Sequence, residues 1–133
     1  MSNQFNFKLE PPLDAGLFSD TAWEAADKCS KSIRSNKPSQ IRRFYDELVQ
    51  WDAKIHEAQT VEEQNRLFQQ AHPFIRMLKA KVAYAHGRKL IDNVFKDFFD
   101  RLIDEIHSPT SLRNGKLLFE AFMGFLKYLN PKS

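Results

Sequence analysis

The sequence predicts an all-α protein, a compact bundle of five to six helices. Twelve phenylalanines stand against only four glycines, apolar residues recur at helical spacing along most of the chain, and no alternating apolar/polar run is long enough for a half-buried strand. At 133 residues the chain is expected to form one domain, burying roughly two-thirds of its unfolded surface. Residues 1–18 lack periodicity and contain Pro11, Pro12 and Gly16, which predicts a flexible N-terminal arm whose Phe5 and Phe7 are free to dock. The single helical-bundle domain is then 19–133.

Each element follows from its own signals. Thr21 and Glu24 have capping-box spacing, and Ala22, Ala26, Cys29 and Ile33 form a narrow apolar stripe for a first helix ending near Asn36. Pro38, favoured in the first turn, opens a stronger helix with Ile41, Phe44, Tyr45, Leu48, Trp51 and Ile55 on one face. Asp52 falls near that apolar side and needs a cation, for which Arg88 is a candidate. Thr60 and Glu63 repeat the capping-box spacing for a short helix that yields at His72-Pro73.

The organising stretch is Pro73 to Ile91 (PFIRMLKAKVAYAHGRKLI). At 100° per residue Phe74, Ile75, Leu78, Val82 and Ala85 make a broad core stripe. Beside it run Met77, Lys81, Tyr84 and Arg88, with Lys79 and His86 on the opposite flank. Gly87 offers a left-handed residue to close the helix. Ile91, Val94, Phe95, Phe98, Leu102 and Ile106 then define a long amphipathic helix whose outer side carries Asp97, Asp100 and Asp104. After Ser108-Pro109 a last helix turns Leu118, Phe119, Phe122, Met123, Leu126 and Leu129 inward, and Asn130-Pro131 stops it.

Charge is segregated. Lys28 to Arg43 holds six basic residues and no acid, Gln64 to Ile91 six more and no acid, while all seventeen acids lie elsewhere. A core helix with a basic, aromatic-bearing flank reads as a surface for an elongated anion. The acidic stripe on a different helix suggests copies stacked head to tail, acid against base.

Catalysis finds no support. His56, His72, His86 and His107 are scattered, and Asp104 to His107 gives one copy of a carboxylate-x-x-His spacing that di-iron bundles use twice. No phosphate-binding glycine loop, His-Glu-x-x-His motif or nucleophile elbow is present. The lone Cys29 supplies neither an internal disulfide nor a cysteine-based zinc site. No enzymatic activity, cofactor or metal is expected. Without a signal peptide or an apolar run of roughly 18 residues, a cytoplasmic protein with no membrane partner is expected.

Three pieces carry a family resemblance: Ser39-Gln40-Ile41-Arg42 with Arg43-Phe44-Tyr45, Leu78-Lys79-Ala80-Lys81-Val82-Ala83-Tyr84-Ala85-His86-Gly87-Arg88, and Phe119-Glu120-Ala121-Phe122 leading to Tyr128. In this order they resemble the small subunit of type III-A CRISPR effector complexes, the Csm assembly. The chain departs from the family at Asn36-Lys37-Pro38, where threonines are usual, and at Gly124-Phe125, where Val-Ala is usual. The resemblance implies a non-catalytic helical subunit for antiviral defence. Its partners would be guide RNA and target RNA, other subunits of the complex, and further copies of itself. The RNA-contacting positions it implies are Arg42, Arg43, Lys79, Lys81, Tyr84 and Arg88. A helical adaptor for an acidic protein, or the type III-B small subunit, is the alternative.

Overall fold

The computed structural model describes residues 3–31 and 36–131. Among them are six α-helices: α1 Ala22–Ser30, α2 Pro38–His56, α3 Val61–Arg76, α4 Leu78–Gly87, α5 Asn93–Asp104 and α6 Pro109–Leu129. One turn of π-helix, Leu17–Thr21, leads into α1. The all-α prediction stands.

One core holds the bundle. Phe44 on α2, Phe95, Phe98 and Phe99 on α5, and Phe119 and Phe122 on α6 interlock, with ring centroids 4.8–6.4 Å apart. Such aromatic pairs add stabilisation beyond the area they bury. Long α6 lies against both α1 and α2. Its start is fixed by a reciprocal cap in which the Ser108 and Ser111 side chains satisfy each other's backbone N–H groups.

The N-terminal segment corrects the expectation of a flexible arm. Phe5, Phe7 and Leu9 are buried in the core, and Phe5 packs edge-on against Phe98 at 5.7 Å. With no helix of its own, the segment borrows partners for its backbone. Arg101 Nη2 donates to the Phe7 carbonyl (2.8 Å) and Asn114 Nδ2 to the Leu9 carbonyl (2.9 Å). Gly115 makes room for it, since a Cβ there would sit 3.2 Å from both Leu9 and Leu102. Alternation along a segment with only three apolar residues is too short a signal to read.

Up to the break between α3 and α4, helix ends differ from expectation in four places. Thr21 is no cap, because the π turn before it continues straight into α1 and leaves no helix start there. The first helix stops at Ser30, not near Asn36, and Ile33 lies outside the described residues. Thr60 does accept from the Glu63 N–H (3.1 Å), but the Glu63 carboxylate turns to Arg66 instead of completing the box. Finally, α3 does not yield at His72-Pro73. Phe68, Ala71 and Ile75 keep one buried phase across Pro73, and that burial overrides a cost of ~3 kcal/mol for an interior proline. The break falls at Met77, which ends α3 and begins α4.

This displaced break explains a second misreading. Ile75, Leu78, Val82 and Ala85 are buried as expected, but Phe74 is 55 % exposed. The turn at Met77 shifts the phase, so the Phe74 ring stacks on Trp51 outside the core.

Helix α4 closes with paired bonds, Lys89 N–H to the His86 carbonyl and Leu90 N–H to the Ala85 carbonyl, both 3.0 Å. That is a Schellman motif, which needs a left-handed residue. The residue is Lys89, at φ 61°, and not Gly87. A side chain in this region carries strain of roughly 1–2 kcal/mol, partly offset by the larger unfolded freedom of glycine. Lys89→Gly is therefore expected to raise stability by up to ~1 kcal/mol, read as a higher urea midpoint with unchanged slope.

His72 on α3 gives the fold an acid-side weakness. Its Nε2 lies 3.1 Å from the Ile106 carbonyl and its ring 4.7 Å from Phe68. Burial pushes its pKa below the ordinary value; the carbonyl bond opposes this, and Arg76 and His107 add to the depression. Above an unfolded pKa of about 6.5 both states are neutral and the contribution is complete. Below it the unfolded chain takes the proton first, so stability falls as pH drops toward the folded value. Melts at pH ~7.5 and ~5.5 should show this loss, and His72→Gln should reduce it.

Candidate nucleic-acid interface

Helices α2 and α4 do not close on each other fully. Between them runs a groove of about 560 Å³ lined by Gln40, Arg43, Met77, Lys81, Tyr84 and Arg88, floored by Phe44 and Ala85. The floor is core. Ile41, Phe44 and Leu48 on α2 and Leu78, Val82 and Ala85 on α4 are buried in the core, which fixes the walls on rigid elements. The groove's end is stapled by the chain before α2: Lys37 N–H donates to the Leu90 carbonyl, and buried Asn36 accepts from the Asp92 N–H, both at 2.9 Å.

Among the described residues no carboxylate lines the groove. Arg43 is exposed and, among the same residues, pairs with no acid. Arg88 meets no acid among them either; its Nη1 donates to the Tyr84 hydroxyl (3.0 Å) and its guanidinium lies 5.8 Å from the Tyr84 ring centroid. That contact occupies one of five N–H donors and orients the rest. Tyr84 itself is 66 % exposed. Lys81 differs, because its Nζ is 3.0 Å from Glu47 on α2.

The groove thus gathers Arg43, Lys81, Tyr84 and Arg88 of the six residues singled out in the sequence. Arg42 points elsewhere and pairs with Asp46 at 3.2 Å, one turn along α2. Lys79 pairs with Asp104 on α5 at 2.6 Å. The windows free of acid in sequence are not free of acid in space. Gln40 joins the lining, and so does Met77, which is half exposed.

Two further expectations change. Asp52 is buried, at 4 % exposure, and does hold a cation, but it is Arg113 on α6 (3.2 Å), with the His56 ring nitrogen also 3.0 Å away; Arg88 is across the groove with Tyr84. The acidic stripe of α5 is engaged within the subunit. Asp104 takes Lys79, Asp100 takes Lys96 (2.8 Å), and Asp97 accepts from Gln4 (2.8 Å). Two of the three carboxylates are thus paired with lysines, while Asp97, bonded to a neutral amide, keeps its charge.

Among the described residues no group of three His, Cys, Asp or Glu side chains could hold a metal ion. Burial pushes the Cys29 thiol far above its ordinary pKa, with Asp92 adding to the shift, so it is a poor nucleophile. No described helix is long and apolar enough to cross a membrane.

Residues 17–132 match the model of the family Csm2 Type III-A. The chain belongs to that family. No curated protein and no solved structure matches it. Csm2 proteins are the structural small subunits of the type III-A CRISPR effector, and membership makes this chain a subunit of that complex. The three sequence pieces that resemble the family meet in the fold. Gln40 and Arg43 from the first face Ala80, Lys81, Tyr84 and Arg88 from the second across the groove. Behind it, Tyr45 of the first piece donates to Glu120 of the third (3.0 Å) and packs on Phe119 at 5.6 Å. Burial, then the Glu120 bond, raises the Tyr45 pKa, keeping its hydroxyl a donor. Two pieces of a Csm2 sequence shape the groove, and the third braces it.

Proposed function

We propose that this Csm2 protein is a non-catalytic subunit that tracks the backbone of guide and target RNA through the α2–α4 groove. It stacks in several copies along the type III-A complex and works in the cytoplasm. The observation that carries the reading is that Arg43 and Arg88, neither paired with an acid among the described residues, line a groove in which no described carboxylate stands, with Tyr84 exposed beside them. A subunit serving any guide sequence needs contacts to phosphate and sugar, which carry no base identity. Arginine's planar fork suits phosphate oxygens, and Tyr84 offers a face for a sugar or base. Lys81 is held by Glu47 and contributes less net charge. Arg42 and Lys79, each held by an acid, serve as flanking contacts.

The role is scaffolding, so its test separates binding from turnover. Effector complex assembled with Arg43→Ala and Arg88→Ala should keep its subunit composition and, at saturating target RNA, its cleavage rate. Loss of the saturated rate with binding intact would contradict a non-catalytic role.

A further inference from the structure

We infer that the trough between α2 and α3 is a second subsite, one that takes a single unpaired nucleotide by stacking; this rests on the RNA-tracking reading of the neighbouring groove. The trough measures about 210 Å³ and is lined by Trp51, Lys54, Leu67, Gln70 and Phe74 over Ile55 and Ala71. Sites that enclose a drug-sized ligand run to roughly 300–1,000 Å³, so this one has room for one planar group. Trp51 and Phe74 lie nearly parallel, 18° apart with centroids at 6.2 Å. Phe74 leaves 55 % of its surface in solvent, which nothing in the fold requires.

Charge decides which planar group. The Lys54 ammonium sits 5.6 Å from the Trp51 ring centroid, and among the described residues no carboxylate lines the trough. Lysine is depleted from protein interfaces, whereas an exposed aromatic face beside a cation is the composition of single-strand platforms. Gln70 supplies both a donor and an acceptor, and every base has a π-face, so the subsite is indifferent to sequence. Position agrees. Met77, half exposed, lines the basic groove, and Phe74 lies three residues before it, about one helical turn or ~5 Å along the axis. A strand leaving the groove past Met77 meets Phe74 next.

The test uses the assembled type III-A complex and a target RNA carrying 4-thiouridine at every uridine. After irradiation, trypsin separates the relevant residues cleanly: Trp51 falls in peptide Phe44–Lys54, Phe74 in Leu67–Arg76 and Tyr84 in Val82–Arg88. An RNA adduct on Leu67–Arg76 is expected, lost in Phe74→Ala, with target affinity lower on the order of 10-fold. Adducts confined to Val82–Arg88 would overturn the subsite and leave the groove standing. Adducts on no peptide of this chain would overturn both. Protection of α3 from hydrogen exchange on assembly without RNA, with no adduct there, would assign the trough to a protein neighbour and overturn the inference.

Discussion

Phe119→Ala is expected to destabilise the protein by about 3–5 kcal/mol, the range for removing a fully buried phenylalanine that its neighbours cannot refill. Phe119 is fully buried and touches the rings of Tyr45, Phe95, Phe98, Phe99 and Phe122. These come from α2, α5 and α6, so no single helix can move to close the void. The effect should appear as a fall in Tm on the order of 10 °C and a lower urea midpoint. A loss under ~1 kcal/mol would mean the aromatic cluster is not the centre of the fold. Because Phe119 also backs Tyr45, the variant should loosen the α2 wall of the groove.

The second large effect is on binding. Arg43→Ala with Arg88→Ala should weaken target-RNA binding by the complex about 30-fold for each contacting copy, taking about 1 kcal/mol per exposed phosphate contact. Both side chains are exposed and neither supports the core, so Tm should stay nearly unchanged. The matched control is Arg42→Ala with Lys79→Ala. It removes the same formal charge, but from residues already neutralised by Asp46 and Asp104. Its binding loss should be several-fold smaller, and it should cost a few tenths of a kcal/mol in stability from the two broken surface pairs. Equal losses from the two doubles would show that only total charge matters, not the groove.

Much of the fold was legible because helical periodicity is a long-range signal. The faces of α2, α5 and α6 each repeat over three or more turns. Ile41, Phe44, Leu48, Phe95, Phe98, Leu102, Leu118, Phe119 and Phe122 are buried as the spacing implies. What failed were single-residue decisions. Pro73 reads as a stop, yet the buried phase of Phe68, Ala71 and Ile75 carries α3 across it. Gly87 reads as the left-handed residue, yet the bond pattern puts that conformation at Lys89. The extended packing of Phe5, Phe7 and Leu9 has no periodic signature and depends on Arg101, Asn114 and Gly115 nearly a hundred residues away.

The groove was legible in part for a related reason. Spacing on α4 puts Lys81, Tyr84 and Arg88 on one flank, and Arg43 faces them because Phe44 beside it is core. Which cations are free is a tertiary property. Glu47 and Asp104 decide it for Lys81 and Lys79 through the way the helices pack, whereas Asp46 reaches Arg42 at i,i+4 within α2, a pairing that spacing alone could have shown. Helical phase assigns both Trp51 and Phe74 to the core; Trp51 does pack half-buried against it, and the displaced break at Met77 leaves Phe74 on the surface beside it.

The most direct measurement is target-RNA affinity of the assembled complex across a salt series from ~50 to ~300 mM, comparing wild type with the Arg43→Ala, Arg88→Ala complex. Each phosphate contact contributes about 0.7–0.9 to the slope of log affinity against log salt. Two lost contacts per contacting copy therefore predict a slope shallower by roughly 1.4–1.8 for each copy. Parallel lines for the two complexes would contradict the account, because arginines that release no counterions on binding are not touching the RNA backbone.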